Sequence, residues 1–262
     1  MMRSLNIGAG GMMAQQTNVD VISNNIANLS TTGYKRQRAA FQDLIYQNLR
    51  HPGATSSDSG TVVPAGIQLG LGVKTSEIAR ILEQGTLSST NRPLDVAIEG
   101  KGYLQITLPD GRTAYTRDGS LSLSPTGEIV TADGYSVQPS VAVPQNARSI
   151  TIDETGQVSV QIDGQTAPQV LGQFQMATFV NDAGLEAVGR NLFIESAASG
   201  SPVTGVAGSS GFGNMQQGFL ETSNVNVVNE LTTLITAQRS YEMNSKVIET
   251  SDKMMGTVSQ MQ

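Results

Sequence analysis

Apolar residues recur every seven positions at both ends of the chain and alternate with polar ones between, so the sequence divides by period into three stretches. Near the start, Leu5, Met12, Val19 and Ile26 form one heptad series, with Ile22 and Leu29 three residues beyond its last two members. Near the end, Val227, Leu234, Tyr241, Ile248 and Met255 form another, and Leu231 supplies the alternate position. A seam that narrow has no groove to fill on its own helix, and isolated helices are marginal without tertiary packing. The pattern therefore predicts that the terminal helices pair as a coiled coil. A further series on each helix, Ile7, Ala14 and Val21 on the first and Val247, Met254 and Met261 on the second, would stay uncovered and points to other subunits. Gly8, Gly10 and Gly11 each cost roughly 0.8–1.0 kcal/mol relative to Ala in a helix interior, so the first helix is expected to fray, with an indefinite start.

After Asn28 the helical pattern breaks at Ser30-Thr31-Thr32-Gly33, where Gly33 suits a left-handed stop. A partly apolar stretch from Phe41 to Tyr46 runs into His51 to Gly60, which is small, polar and rich in turn formers, the chemistry of a linker. From about residue 77 the period becomes two. Asp110-Gly111, Asp118-Gly119, Thr126-Gly127 and Asp133-Gly134 then punctuate strand-sized segments, which reads as a β-meander. Further strands are expected at Ser149 to Ile152, Val158 to Ile162, Val170 to Phe179 and Asn191 to Ile194, and a Gly/Ser stretch from Ala197 to Gly213 leads back to the second helix. The expected fold is α+β, an antiparallel β domain inserted between N- and C-terminal α-helices that pair as a coiled coil. By this reading residues 1–34 and 222–262 form the helical domain, 35–76 an extended connecting region, and 77–221 the β-rich domain.

Composition narrows the chemistry. The 262 residues carry 16 Lys and Arg against 22 Asp and Glu, a net charge of −6, which lacks the basic stripe of a nucleic-acid binder. Cysteine is absent and histidine occurs once, at His51, so thiol nucleophiles, disulfides, Cys-based zinc sites and His clusters are excluded. No run approaches the roughly 18 apolar residues of a spanning helix, and the N-terminus has no continuous apolar signal region, so neither a spanning segment nor a cleaved signal is expected. Gly66, Gly70 and Gly72 do not make a dinucleotide site, because Gly70-Leu71-Gly72 runs into Val73-Lys74-Thr75 instead of the fingerprint's third glycine and the strand–loop–helix context is missing. Neither carboxylate pair close in sequence, Asp95 with Glu99 or Asp153 with Glu154, distinguishes itself from solvated turn residues. The expectation is a protein without catalytic residues, metal or cofactor.

What remains is the run from Ser23 to Arg36. Asn24, Asn25 and Asn28 are unfavourable within a helix, but their amides can cap it and bond to a partner helix. Asn24-Asn25-Ile26-Ala27-Asn28, continuing to Gly33-Tyr34-Lys35-Arg36, resembles the N-terminal signature of the bacterial flagellar axial proteins, the rod and hook subunits. Glu221-Thr222-Ser223-Asn224 to Leu231, continuing through Ala237-Gln238-Arg239-Ser240-Tyr241-Glu242, is similar to that family's closing helix. Asp95 to Tyr103 and Tyr115-Thr116-Arg117-Asp118-Gly119 are also typical of it. The resemblance spans the whole chain, and the motifs stand in the expected order.

The resemblance implies a mechanical subunit that polymerises helically, with its helices at the inner tube and its β domain outside. Length and the segment from Tyr46 to Pro64 look most like the rod-type members of the distal rod, the drive shaft that transmits torque to the hook. Implied partners are further copies of the same chain, proximal rod proteins, a hook or hook-junction protein, the peptidoglycan-ring and outer-membrane-ring proteins, and the flagellar export apparatus. Asn24, Asn25, Ile26, Ala27, Asn28, Gly33 and Tyr34 are the expected subunit-packing motif. The competing readings are a proximal rod or hook subunit, and a secreted glycan-binding or glycan-cleaving β domain, which would need a carboxylate pair or an aromatic platform; with 6 Tyr, 6 Phe and no Trp, neither is evident.

Overall fold

The computed structural model describes residues 2–50, 65–163 and 167–260. Helix α1 spans Met2–Ala27 and helix α2 spans Val227–Gln260. The chain separates into two compact units, one built from residues 1–26, 37–79 and 226–262 and the other from residues 27–36 and 80–225.

In the helical unit α1 and α2 pack together antiparallel, since Gly8 faces Ile248, Gly11 faces Asn244, and Asn25 bonds to Glu230. The glycines are the reason the approach can be close. A Cβ on Gly8 would stand 2.9 Å from the Ile248 side chain, and one on Gly11 would stand 2.8 Å from the Asn244 amide. Helix propensity sacrificed at these positions is exchanged for backbone proximity, and α1 begins at Met2, where the sequence suggested an indefinite start. Among the described residues, four strands complete the unit: β1 (Gln37–Asp43) pairs with β4 (Val73–Arg80), and β2 (Tyr46–Arg50) with β3 (Ile67–Gly70). Of the expected linker and rod-type segment, residues 51–64 lie outside the described residues, His51 and Pro64 among them. Ala14 and Val21, expected to await another subunit, are buried within this unit, and Val73 to Thr75 lie along the groove that Gly10, Ala14 and Thr17 line. Ile7 of the same series remains exposed.

The β unit contains β5 (Leu87–Ser89), β6 (Val96–Glu99), β7 (Tyr103–Thr107), β8 (Thr113–Thr116), β9 (Leu121–Leu123), β10 (Ile129–Thr131) and β11 (Ser136–Val137). It continues with β12 (Ala147–Ile152), β13 (Gln157–Ile162), β14 (Gln169–Gln173), β15 (Gln175–Thr178), β16 (Glu186–Gly189), β17 (Leu192–Ile194), β18 (Val203–Val206), β19 (Asn214–Gln217) and β20 (Phe219–Glu221). The largest sheet runs β16-β17-β8-β7-β11-β10-β9, with β15 joining β7 to β18. β12-β13-β14 form a second sheet, while β19 pairs with β6 and β20 with β5.

The Asp-Gly punctuation resolves into two kinds of position. Gly111, Gly127 and Gly134 have φ of 81°, 84° and 85° in the turns joining β7 to β8, β9 to β10 and β10 to β11. Asp118-Gly119 corrects the simple meander: β8 does not pair with β9 but with β7 and β17, and Gly119 has no positive φ. Its missing Cβ instead leaves room for the Val96 carbonyl, which would lie 1.6 Å from that atom. The Gly/Ser stretch from Ala197 to Gly213 likewise holds a strand, β18, on β15. The core collects inward residues of the two larger sheets and of the β6–β19 pair, with Ile98, Leu104, Ile106, Leu121, Ile129, Val158, Phe174, Met176 and Met215 almost wholly buried.

Candidate functional site at the motif junctions

Each unit contains a polar junction where sequence motifs far apart in the chain meet. In the helical unit the junction is Asn25, whose side chain is buried. Its Nδ2 donates to the Gln37 carbonyl at 2.8 Å and its Oδ1 accepts from the Gln37 N–H at 2.9 Å, so the amide pairs with the backbone of β1 as another peptide group would. The same Nδ2 donates to Glu230 Oε2 on α2 at 3.2 Å. One side chain thereby ties α1, β1 and α2. At the start of α2, Asn226 Oδ1 accepts from the Asn229 N–H at 3.2 Å, an N-cap bond that satisfies one of the free donors of the first turn.

In the β unit the junction is Glu221, at the end of β20. Its Oε1 accepts from Lys35 Nζ and, at 2.9 Å, from the Gly85 N–H, while its Oε2 accepts from Arg117 Nε at 2.8 Å. Lys35 also donates to the Glu83 carbonyl at 2.8 Å. Arg117 donates further to the carbonyls of Ile98, Gly100 and Gly102. The three charged side chains are at most 7% exposed. Burial opposes the charge on Glu221, but the Arg117 charge and the Lys35 hydrogen bond outweigh it and hold the carboxyl below its usual range. For Lys35 burial dominates and pulls the ammonium below its ordinary value despite the Glu221 bond.

Backbone contacts reinforce the same point. Gly33, with φ of 67°, donates its N–H to the Glu221 carbonyl at 2.8 Å, and a Cβ there would press on the Arg117 backbone at 3.0 Å. Asn224 accepts from the Arg36 N–H at 2.7 Å and donates to the carbonyls of Ile81 and Glu83. Thus Gly33 to Arg36, Ile98 to Gly102, Arg117, and Glu221 to Asn224 form one hydrogen-bonded cluster.

Matches to known proteins agree with the convergence. A family model described as flagella basal body rod protein covers residues 5–35, the flagellar hook protein FlgE/F/G D1 domain covers 97–160, and the flagellar basal body rod FlgEFG protein C-terminal covers 216–261. The flagellar basal-body rod protein FlgG of Caulobacter vibrioides is 56% identical over 260 residues, covering 99% of each chain. The chain belongs to the flagellar basal-body rod protein family. Proteins of the same name from Borreliella burgdorferi and Bacillus subtilis are 50% and 41% identical, each over 97% or more of both chains.

The residues expected from sequence fall in several environments. Asn25 lies in the core of its junction, Asn24 is exposed on α1, Ile26 is half-buried, and Ala27 is exposed at the helix end. Asn28 Oδ1 accepts from Thr31 Oγ1 at 3.1 Å in the turn that follows. Gly33 is buried and Tyr34 half-buried. Leu5, Met12 and Val19 are half-buried, as are Leu234, Ile248 and Met255. Val227, Leu231 and Tyr241 are exposed. Leu231 therefore lies off the buried face of α2. The buried series on α2 is Glu230, Ala237 and Ser251, with Asn244 half-buried between them; it is small and polar because it faces the glycines and Asn25 of α1. Lys35, Arg117 and Glu221 do not stand out in the sequence, because a charged residue defaults to the surface. Their presence inside all three motif runs was the available signal.

Proposed function

We propose that the chain is a structural subunit of the distal rod of the flagellum, polymerising helically into the rigid shaft that carries torque from the motor to the hook. The observation that carries this reading is the contrast between the junctions and the helix surfaces. Both junctions are satisfied internally, whereas Ile7 and Met13 on α1, and Val228, Leu231, Ile235, Met243, Val247 and Met254 on α2, remain exposed. Such a surface gains free energy when covered, at about 25 cal/mol per Å² of apolar area, and further copies of the same helices supply a matching surface.

In this reading the role is mechanical and non-catalytic. The helices form the wall of the tube, and the β unit transmits load through a cross-linked body that does not depend on solvent-exposed ion pairs. Asn24, Asn25, Ile26, Ala27, Asn28, Gly33 and Tyr34 serve by fixing where the chain leaves the helix. The partners are further copies of itself, proximal rod proteins, a hook or hook-junction protein, the ring proteins of peptidoglycan and outer membrane, and the flagellar export apparatus. Among the described residues no helix is long and apolar enough to cross a membrane. The test is deletion of the gene followed by electron microscopy of isolated basal bodies. Truncated rods without hooks, restored by the wild-type gene, are expected; complete rods in the deletion strain would overturn the proposal.

A further inference from the structure

Most arginines of the β unit have an evident acceptor or lie free in solvent, and Arg80 does neither. Arg117 donates to three carbonyls and Glu221, Arg112 to Asp110, and Arg190 to the Tyr135 hydroxyl. The Arg80 guanidinium instead lies over the Phe193 ring, 4.6 Å from its centroid, and is half-buried. Tyr34 and Tyr103 lie close enough to act on its charge, and burial pulls it below its ordinary value. Among the described residues no oxygen accepts a hydrogen bond from this group. Tyr103 and Phe193 stack edge to face, with centroids 6.0 Å apart, so the aromatic bed is itself fixed.

A guanidinium held over an aromatic ring is restrained by the cation–π attraction while its N–H donors keep their hydrogen-bonding capacity. Part of the ordering entropy of a contact is then already spent, and arginines in such settings are among the common energetic anchors of protein interfaces. We propose that Arg80, held over Phe193, is an anchor between subunits that receives a carboxylate from a second copy of the chain.

The occupant follows from charge. Each copy carries six more acidic than basic residues, so a neighbouring copy brings surplus carboxylates, and the guanidinium fork matches a carboxylate with two parallel bonds. The proposal rests on the rod reading and specifies one of its contacts. Lysine cannot replace the contact, because an ammonium neither stacks in the same way nor presents a fork.

The test compares Arg80→Met and Arg80→Lys with wild type in two measurements: thermal unfolding of the purified monomer, and complete rods per cell in basal bodies from a deletion strain carrying each gene. The expected result is a monomer melting temperature within a few degrees of wild type, with complete rods reduced at least tenfold by Arg80→Met and clearly reduced by Arg80→Lys. Wild-type rod numbers with Arg80→Met would overturn the proposal. A melting temperature that falls in step with rod number would overturn it too, by making Arg80 a fold residue. Normal rods that lack hooks would assign the contact to a different protein and overturn it as well. Failure of the wild-type gene to restore rods would refute the rod reading itself.

Discussion

Glu221 is the anion on which two buried cations depend, so removing its charge should cost far more than removing one of the cations. Glu221→Gln leaves Lys35 and Arg117 facing each other, with side chains only 3% and 7% exposed. Breaking a buried pair from one side costs about 3–5 kcal/mol. For a domain of this size each kcal/mol lowers the melting temperature by roughly 2–4 °C, so a fall of about 6–20 °C is expected. Lys35→Met leaves Glu221 matched by Arg117 and by the Gly85 N–H, and it relieves the ammonium of the burial that already pulls it below its ordinary value. Its cost is the lost hydrogen bonds less that relief, about 1–2 kcal/mol. The pH dependence has a definite sign. Because the folded carboxyl of Glu221 lies below its usual range, its contribution is full above the unfolded value near 4.3 and is lost as pH falls through the folded one. The assay is thermal unfolding of the three proteins from pH 7 down to pH 3, followed by near-ultraviolet circular dichroism. If Lys35→Met destabilised as much as Glu221→Gln at pH 7, the account of the cluster as one anion serving two cations would be refuted.

Other expectations follow from single contacts. Asn25→Ala should destabilise the helical unit by about 1–3 kcal/mol, since it orphans the Gln37 backbone groups. Asn25→Asp should be worse at pH 7, because it sets a second carboxylate beside Glu230, and it should recover in acid; helical circular dichroism during urea unfolding would report both. Gly119→Ala should cost more than about 3 kcal/mol, because its Cβ would collide with the Val96 carbonyl. Gly111→Ala, at positive φ in open space, should cost only about 1 kcal/mol, and chemical denaturation of the pair would separate the two causes. Burial pushes the Tyr103 phenol up to about 12, so stability should fall as pH rises from about 10, where the unfolded phenol ionises, towards that value. Replacing Tyr103 by Phe should flatten that part of the alkaline melting profile.

Period explains what was legible in the sequence. Seven-residue and two-residue repeats report which face of an element is buried, so both helices and strands such as Leu121–Leu123 stand where their patterns put them. Burial by polar or small residues carries no such signal. Glu230, Ala237 and Ser251 make the inner face of α2, although a hydrophobic count favours Leu231. Gly8 and Gly11 looked like defects because propensity sees only one helix, whereas the space they leave is filled by Ile248 and Asn244 of the other. Gly119 was misread for the same reason: a dipeptide cannot report whether its glycine supplies a turn or makes room for the Val96 carbonyl. The Asn25 amide was legible as an unfavourable helix residue, but its pairing with Gln37 depends on where the chain returns after Gly33.

The most direct test of the account is an electron cryo-microscopy reconstruction of the rod in basal bodies assembled with this chain. The account predicts that α1 and α2 line the tube, with Met13, Val228, Ile235, Met243, Val247 and Met254 buried between adjacent subunits. A rod in which those side chains face open solvent, or in which this chain is not found, would contradict it.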